Sequence, residues 1–222
     1  MKTSIETMCL FIALTFTISY LPAQNTSFGG RIGINSATVD IEDPSGLSVQ
    51  PNSRVGLDIA AVVNVGVTEA FSIQPELHFI QKGFKLKLDF FGDEEETNTN
   101  LNYLEIPVLA KYAFGSESIQ GFILGGPALG FGLNGKAKFK SSGQEDKEDV
   151  NFGSNEDELK TVDFGLAIGG GLGIPASTGL FFIDVRYLLG LANLSNEEGT
   201  GASTLKNRGV NVALGILFPL GG

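Results

Sequence analysis

Residues Leu101–Phe114 read LNYLEIPVLAKYAF. Every second side chain from Leu104 is apolar: Leu104, Ile106, Val108, Ala110, Tyr112 and Phe114. The alternate face carries Tyr103, Glu105, Pro107, Leu109, Lys111 and Ala113, with one acid and one base among them. Strict period-2 alternation marks a strand and not a helix. The run is long for a strand of a soluble protein, where about 5–6 residues is usual. It also contains a proline, which central strands exclude. A long strand with one greasy face and one charged face suits a membrane-spanning barrel, with lipid outside and a polar lumen inside. Pro107 removes a ladder hydrogen bond where water cannot replace it, so a bulge or local break is expected there.

The same alternation recurs along the chain in eight segments: 28–37, 53–67, 71–86, 101–114, 119–135, 161–174, 179–194 and 208–220. Short connections (68–70, 115–118, 175–178) alternate with long ones (38–52, 87–100, 136–160, 195–207). In an antiparallel meander this collects all the long loops at one end. The expected fold is therefore all-β, an eight-stranded antiparallel up-and-down transmembrane β-barrel. Of the 25 acidic residues, 17 fall in the four long connections, from Asp40 through Glu94–Glu96 and Glu145–Asp149 to Glu197 and Glu198. The barrel would carry a negative crown, which chiefly solvates the loops and offers a surface to divalent cations, lipopolysaccharide phosphates or a basic protein partner.

Residues 1–23 have the pattern of a cleaved secretory signal: Lys2, an apolar core from Met8 to Leu21, and Ala23 before the expected cut. Residues 24–222 would then form one barrel domain. The only cysteine, Cys9, lies in the segment to be removed, so the mature chain would hold no disulfide and no cysteine metal site. The net charge of −10 argues against a nucleic-acid partner.

Eleven residues are expected to point inward: Arg31, Arg54, Asp58, Glu76, His78, Lys82, Glu105, Lys111, Asp163, Asp184 and Arg186. An eight-stranded barrel is narrow enough to be filled by its own side chains, so these charges should pair into a plug and no solute channel is expected. For Glu105 and Lys111 the candidate counter-charges are Arg54, Arg186, Glu76 and Asp184. His78 is the one histidine and the one candidate for a catalytic dyad with a carboxylate. Its mid-strand position favours a structural part, so no catalytic residue, cofactor or metal ligand is assigned. The glycine clusters Gly125-Gly126 and Gly169–Gly171 lack the phosphate-loop pattern and read as places of sharp curvature or close packing. Phe71, Tyr112, Phe114, Phe181 and Phe218 near the turn end, and Phe84, Phe90, Phe91, Phe131 and Tyr187 elsewhere, would supply aromatic girdles.

Several segments carry a resemblance: SFGGRIGINSA from Ser27, QPELHFIQKG from Gln74, YLEIPVLAKY from Tyr103, GGPALGFGL from Gly125 and DFGLAIGGGLGI from Asp163. Together they resemble the PorT-like outer-membrane β-barrel family of Bacteroidota, over essentially the whole mature chain. The resemblance implies an outer-membrane location, an eight-stranded barrel and little catalytic activity, the namesake of the family being linked to protein secretion. The expected partners are outer-membrane lipid, lipopolysaccharide and the barrel-assembly machinery, and the expected role is structural or accessory, in adhesion, secretion or envelope assembly, without catalysis. The chain departs from the aromatic C-terminus common in such barrels, ending Phe218-Pro219-Leu220-Gly221-Gly222. The rival expectation is a secreted soluble barrel of lipocalin type, which would place the apolar rows inside around a small apolar ligand and the charges outside.

Overall fold

The computed structural model describes residues 26–42, 51–90, 93–141, 144–155, 157–197 and 203–220. Its strands are β1 (Thr26–Glu42), β2 (Asn52–Gly66), β3 (Phe71–Phe90), β4 (Asp93–Gly115), β5 (Gln120–Ser141), β6 (Gln144–Val150), β7 (Phe152–Gly153), β8 (Leu159–Lys160), β9 (Val162–Ala176), β10 (Gly179–Gly190) and β11 (Thr204–Leu220). Eight of them close a ring in the order β1-β2-β3-β4-β5-β9-β10-β11, with β11 pairing back onto β1 and every neighbour antiparallel. Closure leaves the ring itself without an edge strand. Thr26 pairs with Leu220, so both ends of the barrel chain lie beside the short turns at 67–70, 116–119 and 177–178.

Exposure follows the alternation, and the apolar parity faces out. Ile183, Leu214, Ile32, Ile59 and Phe79 are cross-strand neighbours in one row over β10, β11, β1, β2 and β3, and all five are exposed. Continuous apolar surface of this extent is stable only against lipid. The opposite parity buries charge: ten of the eleven expected inward residues are buried, Arg54 alone remaining half-exposed. That inside-out distribution contradicts the soluble lipocalin-type alternative.

Two of the expected long loops are strands. Residues 87–100 continue β3 and β4 to Phe90 and Asp93, and residues 136–150 hold the end of β5 and all of β6. Beyond the bilayer neither face meets lipid, so hydrophobic alternation stops while backbone pairing continues. β6 pairs with β5 alone among the described strands, which makes it the free edge of a four-stranded sheet, β3-β4-β5-β6, projecting above the ring.

Pro107 faces the lumen, and the ladder breaks beside it without a bulge. Between β3 and β4 the pairing stops after Pro75↔Val108 and resumes at His78↔Glu105 in unchanged register. The one register shift between β4 and β5 lies at Asn102/Tyr103 instead. Gly83 has φ of 127°, and a Cβ there would lie 2.0 Å from the Thr99 carbonyl oxygen, so the strand passes this point only as glycine.

Candidate functional site

The most organised polar group in the molecule is a closed cycle of side chains across the lumen. Arg31 on β1 donates to Asp58 on β2 at 2.7 Å. Asp58 meets His78 Nδ1 on β3 at 2.8 Å, and His78 Nε2 meets Glu76 at 2.5 Å. Glu76 takes both Arg186 terminal nitrogens, at 2.6 and 3.0 Å, from β10 across the barrel. Arg186 also donates to Asp184 at 2.9 Å, and Asp184 closes the cycle by accepting from Arg31 at 2.7 Å. Asn211 on β11 accepts from Arg31 and donates to Asp58, while Gln74 donates to Glu76. With His78 protonated the cycle alternates in sign throughout. Five strands are tied at one level, and the bidentate Arg–carboxylate pairs set their geometry. His78 has both ring nitrogens occupied deep inside and is remote from either mouth, so the geometry offers no dyad open to substrate.

A second polar group lies nearer the loop end. Lys82 reaches Glu105 at 2.5 Å and Asp163 at 3.0 Å, and Asn207 donates to Asp163 at 2.8 Å. Glu105 is thus paired by Lys82, which sequence reading did not select. Among the described residues Lys111 forms no ion pair: its ammonium lies 4.3 Å from the Phe122 ring centroid and 5.9 Å from that of Phe182. Arg54, the remaining expected counter-charge, stays outside both groups because its level on β2 lies towards the loops. Gln74 and Asn211 are buried participants whose inward parity was visible but whose uncharged side chains gave no pairing signal, whereas Asn207 fell in the expected connection 195–207, where no strand face was read.

Apolar layers bracket the charges. Towards the turns, Val62, Leu109, Phe122, Leu124, Ala167, Phe182 and Leu217 form one cluster. The Phe182 and Phe122 rings fill space that side chains on Gly215 and Gly171 would occupy, the close approach expected of strand glycines. Towards the loops, Ile80, Leu101 and Tyr103 form a second cluster, with Val150, Phe152 and Leu159 folded onto it. Phe152 meets Tyr103 edge-on at 5.4 Å. Asn196 holds this cap by donating to the carbonyls of Gly153, Asn155 and Glu158. The lumen is therefore a layered plug, apolar at both ends and ionic in the middle.

Above it, the projecting sheet carries charge in cross-strand rows. Lys87, Glu96, Lys140 and Glu145 stand opposite one another over β3, β4, β5 and β6. Lys87 meets Glu96 at 3.5 Å, and Glu145 is flanked by Lys147 at 3.3 Å and Lys138 at 3.9 Å. Hydrogen bonding from Lys147, with the charges of Lys147 and Lys138, holds the Glu145 carboxyl below its ordinary pKa. On the other face of β6, Asp146 and Glu148 stand opposite Phe139 and Ala137 and form no ion pair among the described residues. Of the girdle aromatics, Tyr112, Phe114, Phe181 and Tyr187 are exposed, and Phe28 meets Phe218 at the turn end. Phe91 and the Phe90 side chain lie outside the described residues, as do Glu198 and the segment 43–50 of the acidic crown. Among the described residues no group of three or more His, Cys, Asp or Glu is placed to hold a metal ion.

A family model described as "Outer membrane protein beta-barrel domain" matches residues 22–196. A search of curated proteins finds no match. Among solved structures, the chain is similar to Ail, the attachment invasion locus protein of Yersinia pestis, solved in complex with the heparin analogue sucrose octasulfate. Identity is 16%, coverage 87% of this chain and 99% of that one, and the TM-score 0.41. Neisserial surface protein A is similar at 12% identity, with 86% and 96% coverage and a TM-score of 0.41. The N-terminal barrel domain of Pseudomonas aeruginosa OprF is similar at 11%, with 88% and 98% coverage and a TM-score of 0.37.

Proposed function

Because the chain belongs to the outer membrane protein beta-barrel domain family, and is thereby an integral outer-membrane barrel protein, we propose that it is a display barrel and not a channel or an enzyme. The carrying observation is the projecting sheet, whose acidic β6 edge is unpaired among the described strands, set on a lumen filled by its own side chains. An edge strand accepts a further strand from a partner. Two β6 edges paired antiparallel about Lys147 would oppose Glu145 to Asp149, Asp146 to Glu148 and Lys147 to itself, so a second copy is repelled in that register. An extended basic segment of a different protein meets complementary charge. This is an accessory role in adhesion, secretion or envelope assembly. Lipopolysaccharide phosphates bridged by divalent cations are the surrounding contact for the rest of the acidic crown.

The finer reading is that residues 1–23 are a removed signal, that residues 24–222 form the mature barrel, and that the barrel-assembly machinery inserts it. PorT-like membership within Bacteroidota is proposed on the YLEIP, QPEL and QKG segments. Photocrosslinkers at positions 146 and 148 in intact cells test the function. The expected result is a discrete adduct with a protein that contributes a Lys- or Arg-rich segment, lost when the β6 acids left beside the crosslinker (Glu145, Asp149 and whichever of Asp146 and Glu148 remains) are neutralised. Adducts that survive neutralisation, or their absence at both positions, would contradict it.

A further inference from the structure

The turn-end mouth of the barrel is built differently from the loop-end mouth, which Phe152 and Leu159 cover. At the turn end a cavity of about 250 Å3 opens between the strand ends, with Lys111, Phe122, Leu180 and Leu217 among its walls. Ser27, Ser72 and Gln120 supply polar atoms around it. Of the four buried Lys and Arg side chains among the described residues, Arg31, Lys82 and Arg186 each touch carboxylates, whereas Lys111 has none within 4.0 Å. The acids of the lumen cycle, Glu76 and Asp184, are held by Arg186, His78 and Arg31. The Lys111 side chain as a whole is more than nine-tenths buried, and its ammonium lies over the Phe122 ring and faces the cavity that the residue lines. An ammonium largely withdrawn from water, beside ring faces and with no carboxylate in reach among the described residues, attracts an anion, because the lowered dielectric around it strengthens the pairing.

We propose that this mouth binds a small monoanion, a carboxylate carrying a short apolar tail, with its head on Lys111 and its tail against Leu180 and Leu217. One cation suits one negative charge; a phosphate dianion would be left half-neutralised beside Glu69 on the rim. The exposed Glu69 is screened by water and does not reach Lys111 in an ion pair. The volume lies below the ~300–1,000 Å3 of pockets for drug-sized ligands, which keeps the tail short. The ligand would enter from the side of the short turns, opposite the projecting sheet, so this site is independent of the display function proposed above.

Protein purified from membranes and placed in lipid nanodiscs tests this with hexanoate as probe and hexanol as the uncharged control. Hexanoate is expected to shift the amide resonances of Ser72 and Ala113 saturably, and hexanol is not. Lys111→Met should weaken hexanoate at least tenfold, and Lys111→Arg should restore it. Ala113→Leu, which narrows the cavity wall and keeps the ammonium, should abolish the saturable shift even if Lys111→Met fails to fold. Equal response to hexanol and hexanoate, or an unchanged titration in Lys111→Met or Ala113→Leu, would overturn the proposal.

Discussion

Glu76 joins three other side chains of the lumen network through four contacts. It binds Arg186 twice, His78 and Gln74 on one carboxylate that is nearly inaccessible. Removing one partner of a buried ion pair costs about 3–5 kcal/mol, because the other charge stays buried. Glu76→Ala is therefore expected to lower the unfolding free energy in lipid by about that amount. Glu117→Ala, in an exposed turn, should change it by less than about 0.5 kcal/mol, as surface substitutions usually do. Urea titration of both variants in the same vesicles checks the difference, and equal midpoints would mean that the cycle contributes specificity without stability.

At the scale of elements, the projecting hairpin β5–β6 is held by exposed ion pairs, which water and salt weaken. Glu145 titrates below the ordinary carboxylate range because Lys147 and Lys138 favour its charged form. A depressed folded-state pKa adds stability above the unfolded value and loses it as pH falls through the folded one. The hairpin pairing should thus be complete at neutral pH and weaken only in acid, below the usual glutamate range. Lys147→Ala should move the Glu145 carboxyl resonance back towards ordinary titration; a titration unchanged by Lys147→Ala would remove this cause. The element scale also shows what sequence reading could reach. Strand faces were legible because lipid and lumen impose opposite chemistry on alternate residues, as at Ile106 and Glu105. The outer halves of β3, β4 and β5 were not, because DEEETNTN is polar on both faces once it leaves the bilayer. Ion-pair partners were legible only by sign. Glu105 meets Lys82, and Lys111 meets two phenylalanine rings, because strand stagger sets which residues share a level in the lumen.

For the whole molecule, ring closure, the apolar exterior and the layered plug make one statement: the polypeptide is turned inside out relative to a soluble barrel. Eight strands leave a bore that side chains fill, and here they fill it with ions between two apolar layers. In planar bilayers the purified protein should show no stable open conductance steps, and persistent unitary steps would contradict the plug. The orientation of the strand faces is tested most directly by depth. Single cysteines replacing Phe181, Ile183, Val185 and Tyr187 on β10 carry spin labels whose collisions with oxygen and with a water-soluble nickel chelate are compared in vesicles. All four sites are expected to favour oxygen, with the strongest preference at an inner position of the series and a decline towards its ends. Preferential collision with the nickel chelate along the whole series would place this face in water and contradict the account.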